Sequence, residues 1–270
     1  RAAIFPVRGT FLDFYRLMPQ YLWEKEFQQM QAAEIDSIFI LAVGRLEANP
    51  AEPHGYGYSL SCDGLLYPSA LVSCSPAAGD RLGMILGLAS QYGMQVYIGS
   101  LQTASDWTTG LEFAALRYYN NAVASEILDI YSAYGATLAG WYSNQEIWMN
   151  WAKYYGPTTY YGTLLLRDFV ADMKALDGSK IVTSAPVFKK DPNGSMPGLT
   201  PAELQSVMTD FLNTTQQDRI MPQDGIGAGA GAPPLSEIGS YFSAAQAAAA
   251  ATGKVLWSTL EVFTANGGDS

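Results

Sequence analysis

Seven short apolar runs, separated by longer segments with helical spacing, constrain this chain more than any other feature. They are GTFLDFY (from Gly9), SIFILAVG (from Ser37), QVYIGSL (from Gln95), LAGWYS (from Leu138), KIVTSAPVF (from Lys180), RIMPQDGIG (from Arg219) and KVLWSTLEVF (from Lys254). Most are nearly continuously apolar rather than alternating. Both faces of their sheet must therefore be covered, as happens when parallel strands are joined by crossover helices. The intervening segments read as those helices. WEKEFQQMQAAEI (from Trp23) sets Phe27, Met30 and Ile35 at roughly helical spacing. AAGDRLGMILGLASQYG stops at Gly93, a C-cap residue. Thr200, Pro201 and Glu203 together form an N-terminus signature for a further helix.

Strand and helix in alternation predict an α/β protein, a (β/α)8 TIM barrel with insertions. The competing open doubly wound sheet carries a glycine-rich phosphate turn after its first strand, and residues 9–17 hold none. Residues 1–270 are thus expected to form one barrel domain. No eighth strand is evident after the seventh run, so a further C-terminal segment is expected to complete the barrel. The longest stretch without a clear period, residues 45–76, reads as a long functional loop.

Composition narrows the class. With 270 residues, 49% hydrophobic and 15% charged, the chain can bury a sizeable core. A net charge of -10 argues against nucleic acid and anionic membrane partners, and no apolar run reaches spanning length. The two cysteines, Cys62 and Cys74, lie close together and predict a disulfide, hence an oxidising compartment. Asn193 and Asn213 head glycosylation sequons, and Arg1 in place of Met suggests a processed start; the protein is expected to be secreted and extracellular. With His54 the single histidine there is no histidine metal triad, and no G-x-S-x-G elbow occurs. GIGAGAGAPP (from Gly225) lacks the lysine and helix start of a phosphate loop, so no metal or cofactor is expected.

In a barrel the chemistry gathers at the C-terminal strand ends. The polar and aromatic residues there are Asp13, Tyr15, Arg45, Trp107, Tyr142, Asn144, Gln145, Glu146, Gln223, Asp224, Trp257 and Glu261, with Trp151 just beyond. Two of them, Glu146 and Glu261, end the fourth and seventh strands, nearly opposite across a barrel mouth. Facing carboxylates suit glycosidic bond hydrolysis, where one protonates the leaving oxygen and the other stabilises or attacks the anomeric carbon. Tyr142, Trp148, Trp151, Trp107 and Trp257 can stack on sugar rings, and Asn144, Gln145 and Gln223 can bind hydroxyls. Trp141, alternating with Tyr142, is expected to point into the barrel wall.

The motifs GTFLDF, W-E-K-E-F-x-x-M-x-x-x-x-I-D, GWYSNQEI, PQDGIG and LWSTLEVF resemble a family of secreted TIM-barrel proteins long catalogued as a domain of unknown function. That family is related to the clan of retaining glycosidases with catalytic carboxylates on strands four and seven. The resemblance implies Glu146 as acid/base and Glu261 as nucleophile, with Tyr142, Asn144, Gln223 and Asp224 beside them. One departure stands out: the clan places Asn directly before the acid/base, whereas here Gln145 intervenes and Asn144 lies one residue further back. The expected activity is hydrolysis of an oligo- or polysaccharide. A non-catalytic carbohydrate-binding barrel, or a polysaccharide lyase with Tyr142 or Tyr15 as base, are the alternatives.

Overall fold

A computed structural model of the protein describes residues 7–12, 18–72, 79–103, 110–188, 198–223, 233 and 235–259. The chain divides into two compact units, Arg1–Asn144 with Met173–Lys180, and Gln145–Asp172 with Ile181–Ser270. In chain order the elements are β1 (Gly9–Leu12), α1 (Gln20–Ala32), β2 (Ser37–Ile40), β3 (Arg45–Ala48), β4 (Tyr58–Leu60), α2 (Arg81–Tyr92), β5 (Gln95–Gly99), β6 (Gln102–Thr103), α3 (Gly110–Ile130), β7 (Leu138–Ser143), α4 (Met149–Tyr155), α5 (Tyr161–Leu176), β8 (Ile181–Ser184), α6 (Pro201–Thr215), β9 (Arg219–Ile220), α7 (Ile238–Ala251) and β10 (Val255–Leu256).

In the first unit β1, β2, β5 and β7 pair in parallel in that order. Phe39 sits opposite Phe11 and Tyr97 in register, and their rings follow: Phe39 and Tyr97 stack at 4.6 Å and 11°, and Phe11 lies 5.1 Å from Phe39. The alternate residues Ile38, Ile40, Val96 and Ile98 are fully buried, so both faces of this ladder are covered. Gly99 permits a close backbone approach at the strand end, because a Cβ there would lie 2.2 Å from the Leu41 carbonyl oxygen. In the second unit β8, β9 and β10 are again parallel and consecutive. Within each ladder, parallel neighbours follow chain order without reversal. A doubly wound sheet must reverse its order, so this singly wound pattern excludes it.

All seven apolar runs contain a strand, and the helix signals hold where they are strongest. Asp80 caps α2 by accepting from the Gly83 N–H at 2.8 Å, and Gly93 ends it with φ 68°. Thr200 and Glu203 close a reciprocal capping box on α6, with Pro201 at the first helical position. Helix α1 begins at Gln20, ahead of the Trp23 start that the sequence suggests.

The described part of the expected loop, residues 45–72, is less irregular than expected. Strands β3 and β4 pair antiparallel, with Leu46 opposite Leu60, and β6 adds in parallel with Gln102 opposite Arg45. Two carboxylate anchors, Glu52 buried and Glu126 half-buried, hold this insertion. Glu52 accepts from the His54 and Tyr56 N–H groups, each at 2.9 Å, and from the Tyr119 hydroxyl at 3.1 Å. Glu126 on α3 accepts from the Tyr67 hydroxyl at 2.7 Å, the Ser69 hydroxyl at 2.5 Å and the Ala70 N–H at 2.6 Å. The residues that any eighth strand would use lie outside the described ones, after Thr259.

Candidate active site

Strand β7 ends at Ser143, and the chain that follows carries Asn144, Gln145 and Glu146. At the neighbouring strand end, Ser100 follows β5 and locks onto Asn144. The Ser100 hydroxyl donates to Asn144 Oδ1 at 2.7 Å and accepts from the Asn144 N–H at 3.2 Å, while Asn144 Nδ2 donates to the Ser100 carbonyl at 2.8 Å. Both ends of the Asn144 amide are thus engaged within the protein. Gln145 is 9% exposed. Ser100 carries no family signal in the sequence; its only hint is a small hydroxyl placed directly after an apolar run.

Glu146 is exposed, whereas Gln145, Ile147, Met149 and Asn150 around it are buried. A flexible connection would not alternate so sharply, and its backbone bonds explain why. Val187 N–H donates to the Ile147 carbonyl at 2.9 Å, and Met149 N–H donates to the Val187 carbonyl at 2.9 Å. The resulting parallel bridge between Trp148 and Val187 continues from Val187 to Gln223 and from Gln223 to Thr259. One row therefore joins the chain beside Glu146, the end of β8, Gln223 after β9, and Thr259 after β10. Side chains brace the row as well: Gln223 Nε2 donates to the Ala185 carbonyl at 2.8 Å, and the Thr259 hydroxyl donates to the Met221 carbonyl at 3.1 Å.

The other nominated residues are placed as follows. Tyr142 is buried and meets Phe11 edge-on at 5.3 Å and Phe39 at 6.0 Å. Trp141 is buried at the position paired with Ile98, on the opposite face from Tyr142 as its alternation required. Arg45 is exposed at the start of β3, opposite Gln102. Trp257 is half-buried, and the Arg219 guanidinium lies 3.5 Å over its ring, so one indole face is occupied by a cation. Trp151 is half-buried on α4 among tyrosines, 6.0 Å from Tyr155 and 6.4 Å from Tyr160. Asp13, Tyr15, Trp107, Asp224 and Glu261 lie outside the described residues, as do Cys74 and Asn193. Glu261 is two residues beyond Thr259 in sequence.

Among the described residues no three His, Cys, Asp or Glu side chains gather as a metal site would. No described helix is long and apolar enough to cross a membrane. Ion pairing marks the second unit at α4, where Lys153 bonds Glu203. That lysine, with the Thr200 N–H and hydroxyl, holds the Glu203 carboxyl down at about 2.

The fold is that of the (β/α) barrels found in glycoside hydrolases. A protein of Bacteroides thetaiotaomicron VPI-5482 provisionally assigned as an alpha-L-fucosidase is similar with a TM-score of 0.69 at 18% identity, over 94% of this chain and 73% of that one. The endo-beta-1,4-mannanase of Thermotoga petrophila is similar at 0.63 and 12% identity, over 96% of this chain and 62% of the mannanase. The intracellular xylanase of Thermoanaerobacterium saccharolyticum is similar at 0.53 and 12% identity, over 97% and 75%. At such identities the likeness is one of fold. The signature of the family described as "Domain of unknown function (DUF4434)" matches residues 7–268, and the chain belongs to that family. No curated protein sequence matches it.

Proposed function

We propose that the protein is a secreted glycoside hydrolase that cleaves an oligo- or polysaccharide with retention, Glu146 serving as acid/base and Glu261 as nucleophile. The observation that carries this reading is the bridge row Trp148–Val187–Gln223–Thr259. It ties the backbone next to Glu146 to the strand that leads, two residues later, to Glu261. The reaction requires two carboxylates, one passing a proton to the leaving oxygen as the second attacks the anomeric carbon, and the row fixes the chain beside the first of them. Glu146, exposed among buried neighbours, is open to a substrate laid over it, and the polar Gln223 lies on the same row. Asn144 is committed to Ser100, so its amide braces the strand ends behind Glu146 rather than reaching a sugar hydroxyl.

Secretion is supported by two features. No cysteine among the described residues is free, in keeping with a Cys62–Cys74 disulfide, and Asn213 is exposed in the last turn of α6, where a glycan could attach.

The test is a reducing-end assay on a panel of neutral polysaccharides and their oligosaccharides, with the product anomer followed by NMR. Glu146→Gln is expected to lower turnover by roughly 10²–10⁴-fold, the range for removing a general acid. Glu261→Gln is expected to lower it at least as far. Full activity in either variant rejects the assignment, and a glycan complex that persists uncleaved establishes a binding protein instead.

A further inference from the structure

The α4–α5 connection, just downstream of Glu146, is unusually aromatic. Trp151, Tyr154, Tyr155, Tyr160 and Tyr161 fall within eleven residues. Their burial is graded. Tyr160 is 5% exposed, Tyr161 36%, Tyr155 50% and Tyr154 69%. Tyr155 lies nearly parallel to the buried Tyr160, with ring centroids at 6.1 Å and 12° between planes, and Tyr154 meets it edge-on at 4.9 Å. The buried ring thus backs Tyr155, which remains half exposed, beside the more exposed Tyr154.

The turn beneath these rings is fixed. Gly156 takes φ 86°, a conformation that side-chain-bearing residues rarely adopt. Its carbonyl accepts from Thr159 N–H at 3.0 Å and Tyr160 N–H at 2.8 Å, and the Thr159 hydroxyl closes the turn onto the Tyr155 carbonyl. The rings are therefore set before any ligand arrives, which lowers the entropy cost of binding.

The chemistry of the patch selects its occupant. Helix α4 buries its aliphatic residues Met149 and Ala152 and turns tyrosines outward, so the exposed face has apolar ring faces rimmed by hydroxyls. The one charged residue of α4, Lys153, is paired with Glu203, so the helix itself offers no unpaired cation to an anionic ligand. A neutral molecule with C–H faces and hydroxyl edges complements such a surface.

We propose that the Tyr154–Tyr155 face is a glycan-binding platform that holds a neutral polysaccharide chain. The proposal rests on the carbohydrate reading above for the class of its ligand. It makes a polymer, rather than a small glycoside, the molecule this protein meets.

The experiment is native electrophoresis in gels containing mannan, arabinoxylan, mixed-linkage β-glucan or hydroxyethyl cellulose, carried out with the full chain bearing Glu146→Gln so that no hydrolysis erodes the gel. Retardation by at least one polymer is expected, and Tyr154→Ala with Tyr155→Ala is expected to weaken it about tenfold or more. Tyr154→Phe with Tyr155→Phe keeps the ring faces and is expected to retain most of the retardation, which separates loss of stacking from loss of folding. Absence of retardation in all four gels, or equal retardation of the alanine variant, overturns the platform. So does sedimentation showing self-association that the alanine pair abolishes, since the occupant would then be a second copy. Failure of the hydrolase reading appears in the reducing-end assay alone and leaves this readout intact.

Discussion

Replacing Glu126 tests how the long insertion after β2 is held. Its half-buried carboxylate receives three donors: Oε2 takes the Tyr67 and Ser69 hydroxyls, and Oε1 takes the Ala70 N–H. Tyr67 is fully buried, and burial together with the Glu126 carboxylate pushes its phenol well above the ordinary tyrosine range, so it stays a donor at any physiological pH. Glu126→Ala removes all three bonds and strands the Tyr67 hydroxyl. At about 1.5 kcal/mol for each hydrogen bond to a charged group the sum is about 4.5 kcal/mol, reduced to about 3–4 kcal/mol because water can reach a half-buried site. Glu126→Gln should behave differently. Its carbonyl can keep the Ala70 N–H while its amide donates to the two hydroxyls, which rotate to accept, so the loss is only about 1 kcal/mol. With a urea dependence of about 3 kcal/mol per molar, the alanine variant should unfold about 1 M earlier and the glutamine variant about 0.3 M earlier. Limited proteolysis should show cleavage between residues 61 and 72 rising in the alanine variant. Equal midpoints for the two variants, or an alanine cost below about 1 kcal/mol, would refute the donor-reversal argument.

Further outcomes follow from the same structure. Burial pushes the Glu52 carboxyl up, but the His54 and Tyr56 N–H groups and the Tyr119 hydroxyl outweigh it and hold the group below its ordinary 4.5. A depressed carboxyl stabilises fully above its unfolded value and loses that contribution as pH falls through the folded one. The stability difference between wild type and Glu52→Gln should therefore be flat at neutral pH and shrink below pH 4.5; a difference that grows in acid contradicts the assignment. Ser100→Ala should cost about 1–2 kcal/mol by leaving the Asn144 N–H and Oδ1 without their partner, and should lower turnover about tenfold, with Ser100→Thr restoring part of both. A stability and turnover equal to wild type in urea unfolding and hydrolysis assays would remove Ser100 as a positioning residue. Finally, thiol titration under denaturing, non-reducing conditions should find no free thiol, and two thiols would disprove the Cys62–Cys74 bond.

Local pattern determined the elements. Continuous apolar runs announced strands covered on both faces, and all seven contain one. Caps at Gly93 and Thr200 fell where short-range hydrogen bonding puts them, because a cap depends only on residues within one turn of it. The hairpin of β3 and β4 stayed hidden, since its strands are short, its connection is rich in proline and glycine, and its anchors Glu52 and Glu126 take partners from distant chain.

Tertiary structure decided how the nominated side chains are used. The sequence placed Asn144, Tyr142 and Trp257 at strand ends as sugar contacts, but each meets a partner far along the chain: Ser100, the Phe11–Phe39 pair, and Arg219. That Asn144 is tied to Ser100 could not be read from order alone, because its partner lies forty-four residues away in the chain. Position along the chain shows that an acid ends a strand. Whether the groups around it face substrate or hold the frame depends on what the fold brings against them, and that is a property of packing.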